Sequence, residues 1–189
     1  MREKQNVLIN AGLQKEYTIM ALYTNRDITT FWDSDCEKAI MVVRGTDDKD
    51  LLGMKYSDLY TDAHLALGLL NRTKRYKESE RMFLKLRAKY GDNVILSGHS
   101  LGGRISGGLS QKYHCPAIIY NQGSSPFDST YNKGANPYTT HFTTNSLKNI
   151  TIDPLSVSSI LSQTHHIEVP IDTPTIGLPA HSLTHFTKR

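Results

Sequence analysis

The chain has 189 residues, enough for one domain with a sizeable core. Lysine and arginine (22) exceed aspartate and glutamate (18), and the resulting net charge of +4 is a modest excess that suits an anionic surface but does not indicate nucleic-acid binding. The two cysteines, Cys36 and Cys115, have neither metal-site spacing nor the pattern of a disulfide framework, and no stretch reads as a signal peptide or membrane span. We therefore expect a soluble, cytoplasmic protein.

The first part of the chain predicts a helix followed by a hairpin. Over residues 10–23 the apolar positions recur at intervals of three and four, which favours a short helix. Residues 28–32 are rich in β-branched and aromatic side chains, residues 39–43 are continuously apolar, and a polar turn separates them. Because both faces of the second strand are apolar, we expect it to be central in a sheet.

Residues 44–47, Arg-Gly-Thr-Asp, follow that strand and precede a polar, irregular stretch over residues 48–62. This stretch contains scattered large apolar residues. They suit either mobile, exposed side chains or side chains packed in the core, and the sequence leaves both interpretations open. The members of this apolar set are Leu51, Leu52, Met54, Tyr56, Leu59 and Tyr60.

Two helices are predicted next, over residues 64–70 and 73–90. Apolar residues line one side of the second helix, and basic residues line the other. Such a basic side is either a solvated face or a contact for an anionic membrane surface. The apolar side consists of Tyr76, Phe83, Leu86 and Tyr90, and the basic side of Arg72, Lys74, Arg75, Lys77, Arg81, Lys85, Arg87 and Lys89.

The sequence Gly98-His-Ser100-Leu-Gly102 lies between an apolar strand pattern and a helix pattern, and it matches the nucleophile-elbow motif G-x-S-x-G. Gly98 and Gly102 remove side chains that would collide across a tight strand-to-helix turn. The turn presents the Ser100 hydroxyl, and the backbone N–H of Leu101 lies at a helix N-terminus, where it can stabilise an oxyanion.

Beyond this turn we expect a helix over residues 101–113, a parallel strand over residues 116–120 and a loop over residues 121–138. A further strand over residues 140–145 and an edge strand beginning near residue 164 follow. A loop after a parallel strand lies at the edge of the sheet where ligands bind.

The motifs VVRGTD (42–47) and ILSGHSLGG (95–103) resemble the class 3, or fungal-type, lipase family of α/β hydrolases. The resemblance implies a compact α/β-hydrolase fold, with a mostly parallel central sheet flanked by helices, formed by residues 1–189 as a single domain. It also assigns Thr46 a role as oxyanion donor, and it makes a lipid-facing lid one of the two interpretations of residues 48–62. A tetrahedral oxyanion needs two or more fixed donors, and Leu101 supplies one of them.

A serine nucleophile needs an imidazole base and an orienting carboxylate, which follow it in this order in α/β hydrolases: serine, acid, histidine. The sequence Asp153-Pro-Leu-Ser resembles the family's acid motif, and His181-Ser-Leu resembles its late histidine motif. We therefore predict Asp153 as the acid and His181 as the base, with His185 as the alternative base. His64, His99, His114 and His141 are expected to be structural.

The predicted function is that of a serine hydrolase that cleaves carboxylic esters, as a lipase or esterase, through an acyl-enzyme. No metal or organic cofactor is expected. A phospholipase or thioesterase would use the same residues, and a non-catalytic lipid-binding or structural protein could retain the same fold. The expected partner is a lipid or ester substrate, with an anionic membrane surface as a further possible contact.

Overall fold

The structure, a computed structural model, describes residues 4–6, 10, 12–45, 70–123, 136–144 and 165–169. These residues form seven strands, two long α-helices and two short 3-10 turns, Ala21–Tyr23 and Leu70–Arg72, and residues 4–6 and 10 are also helical. The strands are β1 (Tyr17–Ile19), β2 (Ile28–Asp33), β3 (Lys38–Val43), β4 (Val94–His99), β5 (Ala117–Gln122), β6 (Thr139–Thr143) and β7 (His165–Glu168). The helices are α1 (Lys74–Tyr90) and α2 (Ser100–Tyr113).

All seven strands belong to one mixed sheet in the order β1 to β7. Strand β2 pairs antiparallel with both β1 and β3, whereas β3 to β7 are parallel to one another. The prediction of a hairpin with a central second strand is confirmed, because β3 lies between β2 and β4. Because β3 to β7 run in the same direction, their carboxyl ends share one edge of the sheet, where α/β proteins bind ligands.

The core lies between the sheet and the two helices. Alternate residues of β3, β4 and β5 are buried, and they share a cluster with Phe83 and Leu86 of α1. Helix α2 contributes Leu101, Ile105 and Leu109, which are almost completely buried. The protein therefore has an α/β fold in which α2 packs directly behind the strand that leads into it.

The predicted helix over residues 10–23 is wrong. Gly12 has a φ of +71°, and residues Tyr17–Ile19 form β1, which pairs with β2. The aromatic and β-branched residues of this segment suit a strand, and hydrogen bonding to β2 decides between the two patterns.

The predicted helix 73–90 and the helix after Gly98 are confirmed, with bounds that differ by one residue. The strand predicted over residues 116–120 is β5, and the strand predicted over residues 140–145 is β6. Strand β7 forms the last position of the sheet as the structure describes it, in agreement with the predicted edge strand. No helix in the described ranges has the length and apolar character needed to cross a membrane.

Candidate active site at the carboxyl edge of the sheet

Ser100 lies at the turn where β4 ends and α2 begins, in a conformation that residues other than glycine rarely adopt. Its φ is +55°, and its side chain is half-buried. For a residue with a Cβ this left-handed conformation costs on the order of 1–2 kcal/mol, so surrounding contacts must hold it. Ser100 forms a parallel bridge with Gln122, and its carbonyl accepts a 2.9 Å hydrogen bond from the Gly123 N–H.

Gly98 and Gly102 are required by close backbone packing. A Cβ on Gly98 would lie 2.7 Å from the Gly103 nitrogen, and a Cβ on Gly102 would lie 2.7 Å from the carbonyl carbon of Arg44. Both separations are shorter than van der Waals contact, and backbone atoms cannot move away as a side chain could. The predicted collision across the turn is confirmed for Gly98, whereas a Cβ on Gly102 would collide with the end of β3 instead.

The end of β3 lies directly against this turn. A Cβ on Gly45 would lie 2.8 Å from the His99 carbonyl oxygen and 3.5 Å from the Cβ of Ser100. The segment after β3 therefore borders Ser100 on one side, and the segment after β5 borders it on the other. The structure brings together the carboxyl ends of three neighbouring strands around Ser100.

Leu101 has a buried side chain, and its backbone N–H belongs to the first turn of α2. The first N–H groups of a helix have no partner within the helix, and the N-terminus carries a partial positive charge. The side chain of His99 at the N-cap makes no capping hydrogen bond. A Cβ on Gly123 would lie 3.3 Å from the Leu101 nitrogen, so glycine at this position avoids crowding that amide.

The loop after β3 is held from two directions. The Arg44 N–H donates a 2.9 Å hydrogen bond to the Asp27 carbonyl, and the Arg44 side chain lies 3.8 Å from the Asp27 carboxylate. On the other side, the guanidinium of Arg75 in α1 donates hydrogen bonds to the carbonyls of Arg44 and Gly45. Arg75 is buried, which corrects its assignment to the basic side of the helix.

A buried polar pair connects the ends of β5 and β6 at the same edge. Asn121 has a φ of +37° and is fully buried. Its amide donates a 3.0 Å hydrogen bond to the Thr144 hydroxyl, and its carbonyl oxygen accepts one of 2.9 Å from the Thr144 N–H. Sequence reasoning placed Asn121 in a loop and missed this pair, although asparagine tolerates positive φ better than most residues.

Three of the histidines that were predicted to be structural lie in the described ranges. His141 is buried in β6, and His99 is the half-buried last residue of β4. His114 ends α2 in a left-handed conformation, and its ring lies 5.5 Å from that of Tyr138. Several predicted residues lie outside the described ranges. They are the oxyanion donor Thr46, the acid Asp153, the base His181, the alternative base His185, His64 and the lid segment 48–62.

Two ionisable side chains near the helices have strongly raised pKa values. Burial raises the pKa of the Cys115 thiol to about 11 and that of the Tyr76 phenol to about 12. Because the thiolate is the reactive form of cysteine, Cys115 is a poor nucleophile at neutral pH.

Within the described ranges, no three His, Cys, Asp or Glu side chains are grouped so that they could hold a metal ion.

Comparison with models of known protein families gave no match, and comparison with curated proteins gave no significant match either.

Proposed function

We propose that the protein is a serine hydrolase of the α/β-hydrolase type, resembling class 3 lipases, that cleaves carboxylic esters of lipids. The observation that carries the proposal is the backbone of Ser100, a non-glycine residue held at a φ of +55° between a parallel strand and a helix, with backbone packed tightly against both flanking glycines. Nucleophile elbows expose a serine hydroxyl by means of a strained turn of this kind, which supports the proposal. Residues held in backbone conformations of such high energy cluster at functional sites.

In the proposed reaction, the Ser100 Oγ attacks the ester carbonyl carbon while His181 accepts its proton, and Asp153 orients the imidazole. The resulting oxyanion accepts hydrogen bonds from the N–H groups of Leu101 and Thr46. The carbon–oxygen bond to the alcohol then breaks, and the imidazolium donates its proton to the departing alcohol. Water then attacks the carbonyl carbon of the acyl-enzyme by the same steps, with His181 again accepting and returning the proton. This releases the carboxylic acid and restores the Ser100 hydroxyl.

The first experiment is labelling with a fluorophosphonate, which reacts with activated serines. We expect the wild-type protein to be labelled and Ser100→Ala not to be labelled. Ser97→Ala is the matched control, because Ser97 lies in the same strand three residues before the turn, and it should retain labelling. Absence of labelling in folded wild-type protein would exclude the enzyme and favour the lipid-binding alternative.

The base is identified with two further variants. His181→Asn should abolish turnover of p-nitrophenyl esters, whereas His185→Asn should leave turnover largely intact, and the reverse result would assign the base to His185. Rates with p-nitrophenyl esters of increasing chain length, with phospholipids and with acyl thioesters then separate lipase or esterase activity from phospholipase and thioesterase activity.

A further inference from the structure

Arg75 is a buried cation whose donors are directed at the backbone that leaves β3. Its residue exposure is only 8%. Its Nη2 donates hydrogen bonds to the carbonyl oxygen of Arg44 and, at 3.2 Å, to that of Gly45. Removing a guanidinium from water is costly unless its donors are used, and here Nη2 binds two successive carbonyls just beyond the last residue of a strand.

The residue that bears the second of these carbonyls, Gly45, lies next to Ser100. A Cβ on Gly45 would lie 3.5 Å from the Ser100 Cβ, so this peptide is adjacent to the candidate nucleophile. The carbonyl of Gly45 and the N–H of the next residue belong to one planar peptide group. A group that binds the carbonyl therefore also restricts the direction of that N–H, and a charged donor polarises the peptide so that its N–H is a stronger donor.

We propose that Arg75 is a positioning residue for oxyanion stabilisation. It orients and polarises the peptide between Gly45 and Thr46, so that the N–H of this peptide can bind the oxyanion formed on a substrate attacked by Ser100. The inference rests on the proposed function and extends it to a residue of α1. Lysine would keep the charge but is one bond shorter and lacks the planar guanidinium, so it would not reach both carbonyls in the same way.

The alternative role for Arg75 is a purely structural connection between α1 and β3. The two roles differ in what they do to the transition state. Loss of a donor that acts only on the oxyanion lowers kcat and leaves KM nearly unchanged, whereas loss of a structural connection lowers stability and the fraction of folded enzyme. Measurement of kcat and KM, with kcat calculated per active site, therefore distinguishes the positioning role from the structural role.

The test compares Arg75→Met with the wild type, with active-site concentration set by fluorophosphonate titration. We expect kcat for a p-nitrophenyl ester to fall on the order of 10²-fold, the usual effect of losing or misplacing one oxyanion donor, with KM within about twofold. Inhibition by an alkyl boronic acid, whose tetrahedral adduct mimics the oxyanion, should weaken in parallel. Inhibition by the carboxylic acid product should not change.

Arg87→Met is the matched control. Arg87 lies in the same helix, and its Nη1 donates a 2.7 Å hydrogen bond to a backbone carbonyl, that of Tyr113 at the end of α2, which is at the opposite end of that helix from Ser100. This variant loses the same side chain and the same kind of contact. We expect its kcat and its boronic acid inhibition to match those of the wild type.

An unchanged kcat in folded Arg75→Met would overturn the inference and leave Arg75 as a structural residue. If circular dichroism shows that this variant does not fold, Arg75→Lys is used in its place. We expect its kcat to fall about tenfold at constant KM, and an undiminished kcat would overturn the inference. A wild-type protein without Ser100-dependent hydrolysis would refute the proposed function, and this inference with it. Hydrolysis by the wild type that is insensitive to Arg75 would refute this inference alone.

Discussion

At the scale of single residues, the candidate site depends on how closely backbone segments approach one another. Gly102 lies against the carbonyl of Arg44, Gly45 against that of His99, and Gly123 against the peptide between Ser100 and Leu101. These contacts hold Ser100 in its left-handed conformation from three sides. The glycines of α2 are not equivalent, however, because only some of them face backbone.

We predict opposite effects of alanine at two glycines of α2. Gly102→Ala should lower the free energy of unfolding by about 1–3 kcal/mol, since the new methyl group would be forced against the end of β3. In Gly108→Ala the methyl group would lie 3.4 Å from the Tyr76 ring, an ordinary contact, and stability should rise by up to about 1 kcal/mol through helix propensity. Urea denaturation measures both, and equal effects would contradict the packing found at the turn.

At the scale of secondary-structure elements, α1 has two contacts that fix its position. Its N-terminus is capped by Thr73, and its middle is tied to the end of α2 by Glu80, which binds Lys112 at 2.6 Å and Tyr113 at 2.9 Å. Arg75 is the second residue of α1. The Thr73 cap and the Glu80 contacts therefore also position the Arg75 side chain, which reaches Gly45. The helix thereby connects the packing of the core to the candidate site.

The Thr73 cap predicts a measurable loss of stability. The Thr73 side chain accepts a 3.2 Å hydrogen bond from the Tyr76 N–H and donates one of 2.8 Å to the Leu70 carbonyl. Thr73→Val keeps the volume but removes both bonds, and should cost about 1 kcal/mol, up to about 2. Thr73→Ser is the control that keeps both bonds and loses one methyl group. A larger loss for serine than for valine, in urea denaturation, would show that the cap is not the stabilising feature.

The Glu80 contact predicts a pH-dependent contribution. Hydrogen bonds from Lys112, and then from Tyr113, hold the pKa of Glu80 below its usual value despite partial burial. A carboxylate with a depressed pKa stabilises the folded protein above its unfolded pKa of about 4.3, and this contribution is lost as the pH falls through the folded pKa. The wild type should therefore be more stable than Glu80→Gln at pH 7, and the difference should shrink as the pH falls below about 4.3 and disappear below the folded pKa of Glu80.

The measurement is the free energy of unfolding of both proteins across this pH range. Glu78→Gln is a suitable comparison, because Glu78 makes only a 3.8 Å contact with the exposed Lys74 in the same helix. Its effect at pH 7 should be much smaller. A constant difference between the wild type and Glu80→Gln at all pH values would show that the carboxylate charge does not contribute.

At the scale of the whole molecule, the exposed side of α1 is basic. Five of its cations follow the helical repeat on the side opposite the buried residues, and all are exposed. A stripe of this kind, on a protein of net charge +4, suits electrostatic contact with anionic lipid headgroups. The stripe consists of Lys74, Lys77, Arg81, Lys85 and Lys89.

We expect weak binding to phosphatidylserine vesicles that is lost at high salt. The double variant Lys77→Glu/Lys85→Glu should reduce binding on the order of tenfold or more, at about 1 kcal/mol per basic residue removed from the surface. The control Lys15→Glu/Arg26→Glu changes the net charge equally at exposed positions outside the helix and should bind nearly as the wild type does. Equal losses would point to net charge, and no binding by the wild type would identify the stripe as a solvated face. Vesicle cosedimentation at two salt concentrations distinguishes these results.

Much of the architecture was predictable because it follows from local patterns. The hairpin of β2 and β3, helix α1 and the turn at Ser100 each have a periodic or glycine-bounded signature in one short stretch. Residues 10–23 were predicted wrongly because a strand of three residues has too little pattern of its own. The buried position of Arg75 was detectable in principle, since it falls in the helical repeat with Ser79, Phe83 and Leu86, which are all buried.

By itself, the sequence determined the position of the tight turn, because a serine flanked by two glycines between a strand and a helix is a pattern of five residues, and the collision that Gly98 avoids lies within the turn itself. Only the tertiary structure decided that Arg75 binds the carbonyl of Gly45, 30 residues earlier, and that Asn121 pairs with Thr144. Such contacts depend on the register of neighbouring strands and on how α1 packs against them. Local propensity carries no information about either, since both are set by the burial of side chains from distant parts of the chain.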